Sequence, residues 1–277
     1  MIIECKKIAE NIYKDMKIEV EKMEIKPGMA VILVGENPSS LRYIEQKRKW
    51  AEYVGIKFDL IKYSENVKEI ELLNKIKDLN KDKNINGFIV QLPLPNHINE
   101  KNIINEIAPK KDIDGFSPEN IGKIMIGDTS GFIPCTPAGI MEIIKNQNIN
   151  LEGKVVCVIG RSNIVGKPIA SLLINAGATL ISCNSKTKNL KKYTSISDIV
   201  IVAAGKVKLL KVDMLKMGSI VIDVGFTVIN GEIFGDADTE IINLAGNKIT
   251  PVPGGVGVLT VCMLMQNVIK AYKIQKN

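Results

Sequence analysis

Five apolar residues, Val155 to Ile159, run directly into Gly160-Arg161-Ser162-Asn163-Ile164-Val165-Gly166-Lys167-Pro168. No other stretch limits the possible folds so sharply. A β-branched apolar run without alternation reads as a strand buried on both faces, as in a parallel sheet. Gly160 ends that strand. A helix is expected from Asn163, with Ile164, Val165, Ile169, Leu172 and Leu173 on one face. Another strand, Thr179 to Ser182, follows. Strand, glycine turn, helix and strand make a βαβ unit. The helix N-terminus in such a unit offers unpaired N–H groups and partial positive charge to an anion.

Two nucleotide motifs compete for this turn. A phosphate-binding loop of the Walker type needs four residues between its glycines and a hydroxyl residue after the lysine. Here five residues separate Gly160 from Gly166, and Pro168 follows Lys167. Kinase and ATPase chemistry is therefore disfavoured. The dinucleotide pattern is also incomplete, since Ser162 stands at its second glycine, but the strand–turn–helix–strand context favours it. Arg161 follows the first glycine, where it can reach a ribose 2′-phosphate bidentately. The second strand ends in Ser182-Cys183-Asn184-Ser185-Lys186-Thr187-Lys188, with two lysines and no acid to hold a 2′-hydroxyl. Both features point to NADP over NAD.

The remaining chain continues the α/β alternation. Helices are expected over 3–23, 41–54, 66–80, 138–146 and 259–273. Strands are expected over 29–34, 56–63, 86–92, 199–202 and 220–223. The 277 residues and 45% apolar content allow two ordinary domains with real cores. No apolar run approaches the roughly 20 residues of a membrane span, and the N-terminus lacks signal-peptide order. Five scattered cysteines without a CxxC pair argue for a reducing cytoplasm. The net charge of +7 is spread among interleaved acids, which reads as solvated faces and not a nucleic-acid footprint. His97 is the sole histidine, so zinc motifs and two-histidine catalysis are excluded within one chain, and no metal site is expected. His97 itself reads as a loop residue.

Tyr43 and Lys47 are four apart and share a helix face. Gln91 ends an expected parallel strand, where α/β sheets place ligands. Asp114 lies in a charged loop before Gly115. Each also has an ordinary structural reading: packing, a solvated lysine, a strand-end hydrogen bond, a turn residue.

Taken together these residues resemble one family. Tyr43-x-x-x-Lys47, Val90-Gln91-Leu92-Pro93-Leu94-Pro95, Lys111-Asp112-Ile113-Asp114-Gly115-Phe116, Pro134-Cys135-Thr136-Pro137, the Gly160–Pro168 stretch and Thr250-Pro251-Val252-Pro253-Gly254-Gly255-Val256-Gly257 stand in the order seen in the bifunctional methylenetetrahydrofolate dehydrogenase/methenyltetrahydrofolate cyclohydrolases. The resemblance spans nearly the full chain. It implies an N-terminal α/β substrate domain over 1–137, with helix 258–277 packing back on it, and a Rossmann-like NADP-binding domain over 138–257, with an interdomain cleft. It implies oxidation of 5,10-methylenetetrahydrofolate by NADP and hydrolysis of the methenyl product to 10-formyltetrahydrofolate. Lys47 would carry the proton, Gln91 would orient it, Tyr43 would stack on the folate, and Asp114 would accept hydrogen bonds from the pterin. Val90, Leu92 and Pro253 to Gly257 would line the substrate. Gly160, Arg161, Ser162, Ser185 and Phe226 would hold the cofactor. A homodimer is also implied. Rival readings are a dehydrogenase without cyclohydrolase activity and a non-catalytic folate- or nucleotide-binding regulator. Three positions depart from the family's frequent pattern: Asn184 replaces a histidine, Val258 a proline and Phe226 an isoleucine.

Overall fold

The structure is a computed structural model that describes residues 1–276, the side chain of Ser39 apart. In chain order the elements are α1 (Cys5–Glu21), β1 (Gly28–Val34), α2 (Pro38–Val54), β2 (Lys57–Tyr63), α3 (Glu69–Lys81), β3 (Gly87–Val90), α4 (Glu100–Glu106), a 3₁₀ turn at Pro109–Lys111, α5 (Pro118–Met125) and α6 (Cys135–Asn146). There follow β4 (Val155–Ile159), α7 (Gly166–Asn175), β5 (Thr179–Cys183), α8 (Lys191–Thr194), β6 (Ile199–Val202), β7 (Ile220–Asp223), β8 (Thr227–Ile229), β9 (Glu232–Phe234), α9 (Thr239–Leu244), β10 (Lys248–Ile249) and α10 (Val256–Lys276). The chain divides into two compact units.

One unit comprises Asn11–Cys135 and the chain from Val261 onward. Its parallel sheet has the order β2-β1-β3. Every residue of the central strand β1 is buried, which explains its unbroken apolar run, GMAVILV. Ile32, Leu72, Ile76, Phe88 and Ile103 form part of the core with no exposed surface. Each contributes about 1.5–3 kcal/mol by leaving water. Gly87 is needed for a close crossing: a Cβ there would lie 2.1 Å from Cγ2 of Ile113. The crossing segment pairs with β3 through a parallel bridge between Phe88 and Asp112. That contact fixes the loop carrying Asp114.

The other unit comprises Met1–Glu10 and Thr136–Thr260. Its five parallel strands have the order β10-β7-β6-β4-β5. The chain leaves β4 for β5 on one side, then returns to β6 on the other. The carboxyl end of β4 is therefore a topological switch point, where such sheets bind ligands. The N-terminal residues extend the β10 edge: the Ile3 N–H donates to Ile249 O, and the Ile249 N–H to Met1 O. Strands β8 and β9 form an antiparallel hairpin closed by Asn230-Gly231, both with positive φ.

Some expectations need correction. Helix α7 starts at Gly166, not Asn163. Ser162 to Val165 instead form a turn in which the Ser162 hydroxyl accepts from the N–H groups of Val165 and Gly166, at 3.2 and 3.3 Å. Ile164 is consequently 43% exposed and lies outside the buried helix face. Helix α6 begins at Cys135, three residues before the expected Ala138.

Candidate functional site

Helix α2 follows β1 directly, so its first turns lie near the carboxyl end of the first sheet. Lys47 is on this helix and is only 9% exposed. Its Nζ donates to Gln91 Oε1 at 2.8 Å. Gln91 follows β3, and its own N–H donates to Ile32 O, continuing the ladder by one residue. Gln91 Nε2 donates to Leu92 O at 2.8 Å, which turns the amide so that its oxygen faces the lysine. Val90, the last residue of β3, is buried, while Gln91 and Leu92 are partly exposed.

Asp114 is the third polar group of this set. Its loop is held from within by Asp112. One Asp112 carboxylate oxygen accepts from Gly115 N and Phe116 N, and the other from Ser117 N and Asn120 Nδ2, at 2.7–3.2 Å. Gly115 has φ +73, and a Cβ there would come within 2.8 Å of Pro134 N. Only glycine allows that close turn. Sequence reasoning missed the work of Asp112, because a carboxylate satisfied by backbone N–H groups looks like any loop acid.

Burial depresses the proton affinity of Lys47, while the charges of Asp114 and Cys135 oppose that shift. Burial raises the Asp114 carboxyl to about 6, with Lys47 opposing and Asp112 adding to the rise. The two groups are thus pushed from opposite directions toward neutral pH. Such a pair can exchange protons with a ligand at physiological pH. Burial also raises the Cys135 thiol well above its usual range, so it remains protonated. Tyr43, one turn before Lys47, is half-buried, and burial raises its hydroxyl. His97 takes no part in this set: its Nε2 lies 2.9 Å from Val67 O.

In the second unit the glycine turn lies at the carboxyl end of β4. Gly160 has φ +130, and a Cβ there would lie 2.2 Å from Ala203 O, at the end of β6. In the β4–β5 pairing Ile159 stands opposite Cys183. Arg161 and Ser185 each lie two residues beyond that pair, in the turns at the carboxyl ends of neighbouring strands, and both are exposed. This suits a ribose phosphate. Asn184 replaces the family's histidine with a turn-forming residue: its Oδ1 accepts from Lys186 N, and its N–H donates to Thr187 Oγ1, both at 2.9 Å. Phe226, just before β8, is 47% exposed.

Two buried carboxylates brace this edge, and neither was singled out from the sequence. Asp223 accepts from the N–H groups of Gly225, Asp236 and Ala237. Asp236 accepts from those of Ala204, Gly205 and Lys206. Burial raises Asp223 to about 6 against the effect of its three donors. The segment Pro253 to Gly257 turns at Gly254, with φ +95, into α10. Val258 keeps a hydrogen bond that proline would lose, its N–H donating to Gly255 O at 3.1 Å.

No group of three or more His, Cys, Asp or Glu suited to a metal ion occurs among the described residues. Residues 3–114 match the model of the tetrahydrofolate dehydrogenase/cyclohydrolase catalytic domain, and residues 134–276 that of the NAD(P)-binding domain. The bifunctional protein FolD of Bacillus cytotoxicus is 49% identical over 99% of this chain and 96% of its own. The bifunctional FolD methylenetetrahydrofolate dehydrogenase/cyclohydrolase of Campylobacter jejuni has a crystal structure that superposes with a TM-score of 0.96, at 45% identity over 99% of both chains. The Trypanosoma brucei FolD structure, complexed with NADP cofactor and an inhibitor, gives a TM-score of 0.94 at 32% identity, over 100% of this chain and 98% of that one. With both domain models matched and relatives of this identity along its length, the chain belongs to the tetrahydrofolate dehydrogenase/cyclohydrolase family.

Proposed function

We propose that this chain oxidises 5,10-methylenetetrahydrofolate with NADP⁺ and hydrolyses the resulting methenyl cation to 10-formyltetrahydrofolate. The observation that carries this reading is the hydrogen bond of buried Lys47 to Gln91, with Asp114 near enough for its charge to act on the lysine. A dehydrogenase alone has little need of it. The names of the Campylobacter jejuni and Trypanosoma brucei relatives combine both activities, and the NADP complex of the latter supports the cofactor.

NADP⁺, when bound, supplies the hydride acceptor. The protein's part in that step is positioning, because the product cation is spread over two nitrogens and the step transfers no proton. Tyr43 stacks on the folate. Asp114 accepts hydrogen bonds from the pterin, and Val90, Leu92 and Pro253 to Gly257 line the substrate. Gly160, Ser162 and Phe226 take the cofactor, while Arg161 and Ser185 take its 2′-phosphate.

Hydrolysis does move protons. Neutral Lys47 removes one from water as its oxygen bonds to the methenyl carbon. The Lys47 ammonium then returns a proton to the ring nitrogen N5 as the carbon–N5 bond breaks, and the hydroxyl proton leaves to solvent as the formyl C=O forms. A lysine at its ordinary pKa of about 10.4 would be charged and inert as a base. Burial lowers that pKa against the opposing charge of Asp114, and the cationic substrate pushes the same way as burial. Gln91 keeps Nζ on this path.

We assign the folate-binding catalytic domain to 1–137, with the described part of helix 258–277, up to residue 276, packing on it, and the NADP-binding domain to 138–257. We further propose a homodimer in the cytoplasm. Exposed apolar residues on the hairpin, Val228 and Ile229, support association, and five free, buried cysteines suit a reducing compartment. Among the described residues no helix is long and apolar enough to cross a membrane. The test is an absorbance assay of the purified protein with methylenetetrahydrofolate and NADP⁺ or NAD⁺ separately. The reading expects reduced cofactor with NADP⁺, no lasting build-up of the methenyl species, and a dimer by light scattering. No cofactor reduction would overturn it.

A further inference from the structure

Helix α10 is apolar from Val261 to Met265, and Asn267 interrupts its buried face. A polar side chain in such a place needs partners to replace the water it has lost. Its partners are unusual in where they lie. Asn267 Nδ2 donates to Ile113 O at 2.8 Å and to Ile133 O at 3.0 Å. Cys135 Sγ lies 3.7 Å from the same nitrogen, and its thiol donates to Ile113 O at 3.4 Å. Ile113 immediately precedes Asp114. Ile133 belongs to the segment against which Gly115 turns, so close that a Cβ would stand 2.9 Å from the Ile133 carbonyl carbon.

The Asp114 loop is thus gripped from two sides. The Asp112 carboxylate collects the N–H groups that follow Asp114, and the Asn267 amide holds the carbonyl before it. Asn267 uses both amide hydrogens, one for each of two separate segments. We infer that Asn267 is a positioning residue for folate binding, fixing the Asp114 backbone by clamping the Ile113 and Ile133 carbonyls. It acts through Asp114 and touches no reacting atom. The inference rests on the role given to Asp114 under the proposed function. It adds a residue 153 positions away, on a different element, to what sets substrate affinity.

A small shift in this loop misaims a carboxylate that must meet a planar array of donors. The affected quantity is therefore KM for folate, with the cofactor's KM spared. The experiment compares Asn267→Ala, which loses both donors, with Asn267→Thr, which keeps one hydroxyl donor and most of the volume. Steady-state kinetics are measured for both half-reactions, on protein whose folded fraction is set by urea unfolding. For Asn267→Ala, KM for methylenetetrahydrofolate and for the methenyl substrate should rise about 10–100-fold, the loss expected when a positioning group is misplaced by about 1 Å. The NADP⁺ KM and the dehydrogenase kcat should stay within about threefold. Asn267→Thr should fall between this variant and the parent. If Asn267→Ala does not fold, Asn267→Thr alone decides, by a folate KM raised at least about threefold. A folded variant with parental folate KM and only lowered stability would overturn the inference. So would equal rises in the folate and cofactor KM values. Activity in the parent chain separates the failure of this inference from the failure of the proposed function.

Discussion

Replacing Gly160 with alanine should separate the two half-reactions. The added Cβ would sit 2.2 Å from Ala203 O, about 1.2 Å inside the 3.4 Å at which ordinary contact begins. The carbonyl cannot retreat easily. Ala203 N–H donates to Ile159 O at 2.8 Å, and the next two N–H groups are bound by Asp236. The turn after Gly160 must move instead, carrying Arg161 and Ser162 with it. A φ of +130 is also strained for any residue with a Cβ, by about 1–3 kcal/mol. Overpacking adds about 1–3 kcal/mol. A total of about 2–6 kcal/mol is large for one unit, so the folded fraction is checked first by urea unfolding. A displacement near 1 Å in a ligand-positioning loop is worth up to about 10²-fold. Kinetics with varied NADP⁺ should then show KM raised about 10–100-fold. Hydrolysis of the methenyl substrate needs no cofactor, and it should stay within about threefold of the parent. A folded Gly160→Ala protein with parental NADP⁺ KM would refute the argument, as would a parallel loss of hydrolysis.

Two further perturbations test individual roles. Arg161→Ala should raise KM for NADP⁺ far more than for NAD⁺, by about ten- to a hundredfold for a lost charge-assisted contact; equal effects in the two saturation curves would remove Arg161 from the 2′-phosphate. Asp114 titrates near 6, so as pH falls through 6 its carboxylate is lost and folate KM should climb, a limb that Asp114→Asn should abolish. The sign for stability is the reverse. A raised carboxyl pKa favours folding below the unfolded value and loses that advantage as pH rises through about 6. Asn cannot ionise, so at pH 8 Asp114→Asn should melt about 2–4 °C higher by calorimetry while binding folate at least about tenfold more weakly.

Much of the fold was legible because buried parallel strands leave unbroken apolar runs. Strands β1, β4 and β6 are of that kind, as is β7 up to Asp223. The hairpin carried a plain signal in Asn230-Gly231, but its three-residue strands are too short to show a period. The helix start was misplaced because Ser162 to Val165 carry helix-compatible side chains, and only the hydrogen bonds of the Ser162 hydroxyl show that they turn. Tyr43 and Lys47 share a face by spacing. Nothing local, however, joins Lys47 to Gln91, 44 residues away; the order of family motifs implied that pairing, and the structure supplies the 2.8 Å contact. Asp112, Asp223, Asp236 and Asn267 left no such trace. Asp223, Asp236 and Asn267 bond mostly backbone groups of distant segments, which no side-chain pattern encodes, while Asp112 bonds mainly N–H groups three to five residues on, as an ordinary turn acid would.

The central claim is that Lys47 carries the proton in hydrolysis, and Lys47→Met tests it most directly. Methionine keeps the apolar stem but cannot transfer a proton. General acid–base catalysis typically contributes about 10²–10⁴-fold. With methylenetetrahydrofolate and NADP⁺, the variant should still form NADPH at a measurable rate while the methenyl species accumulates in the absorbance trace. Its hydrolysis of added methenyltetrahydrofolate should fall by at least about 10²-fold. Hydrolysis at the parental rate would contradict the account and place the proton on another group.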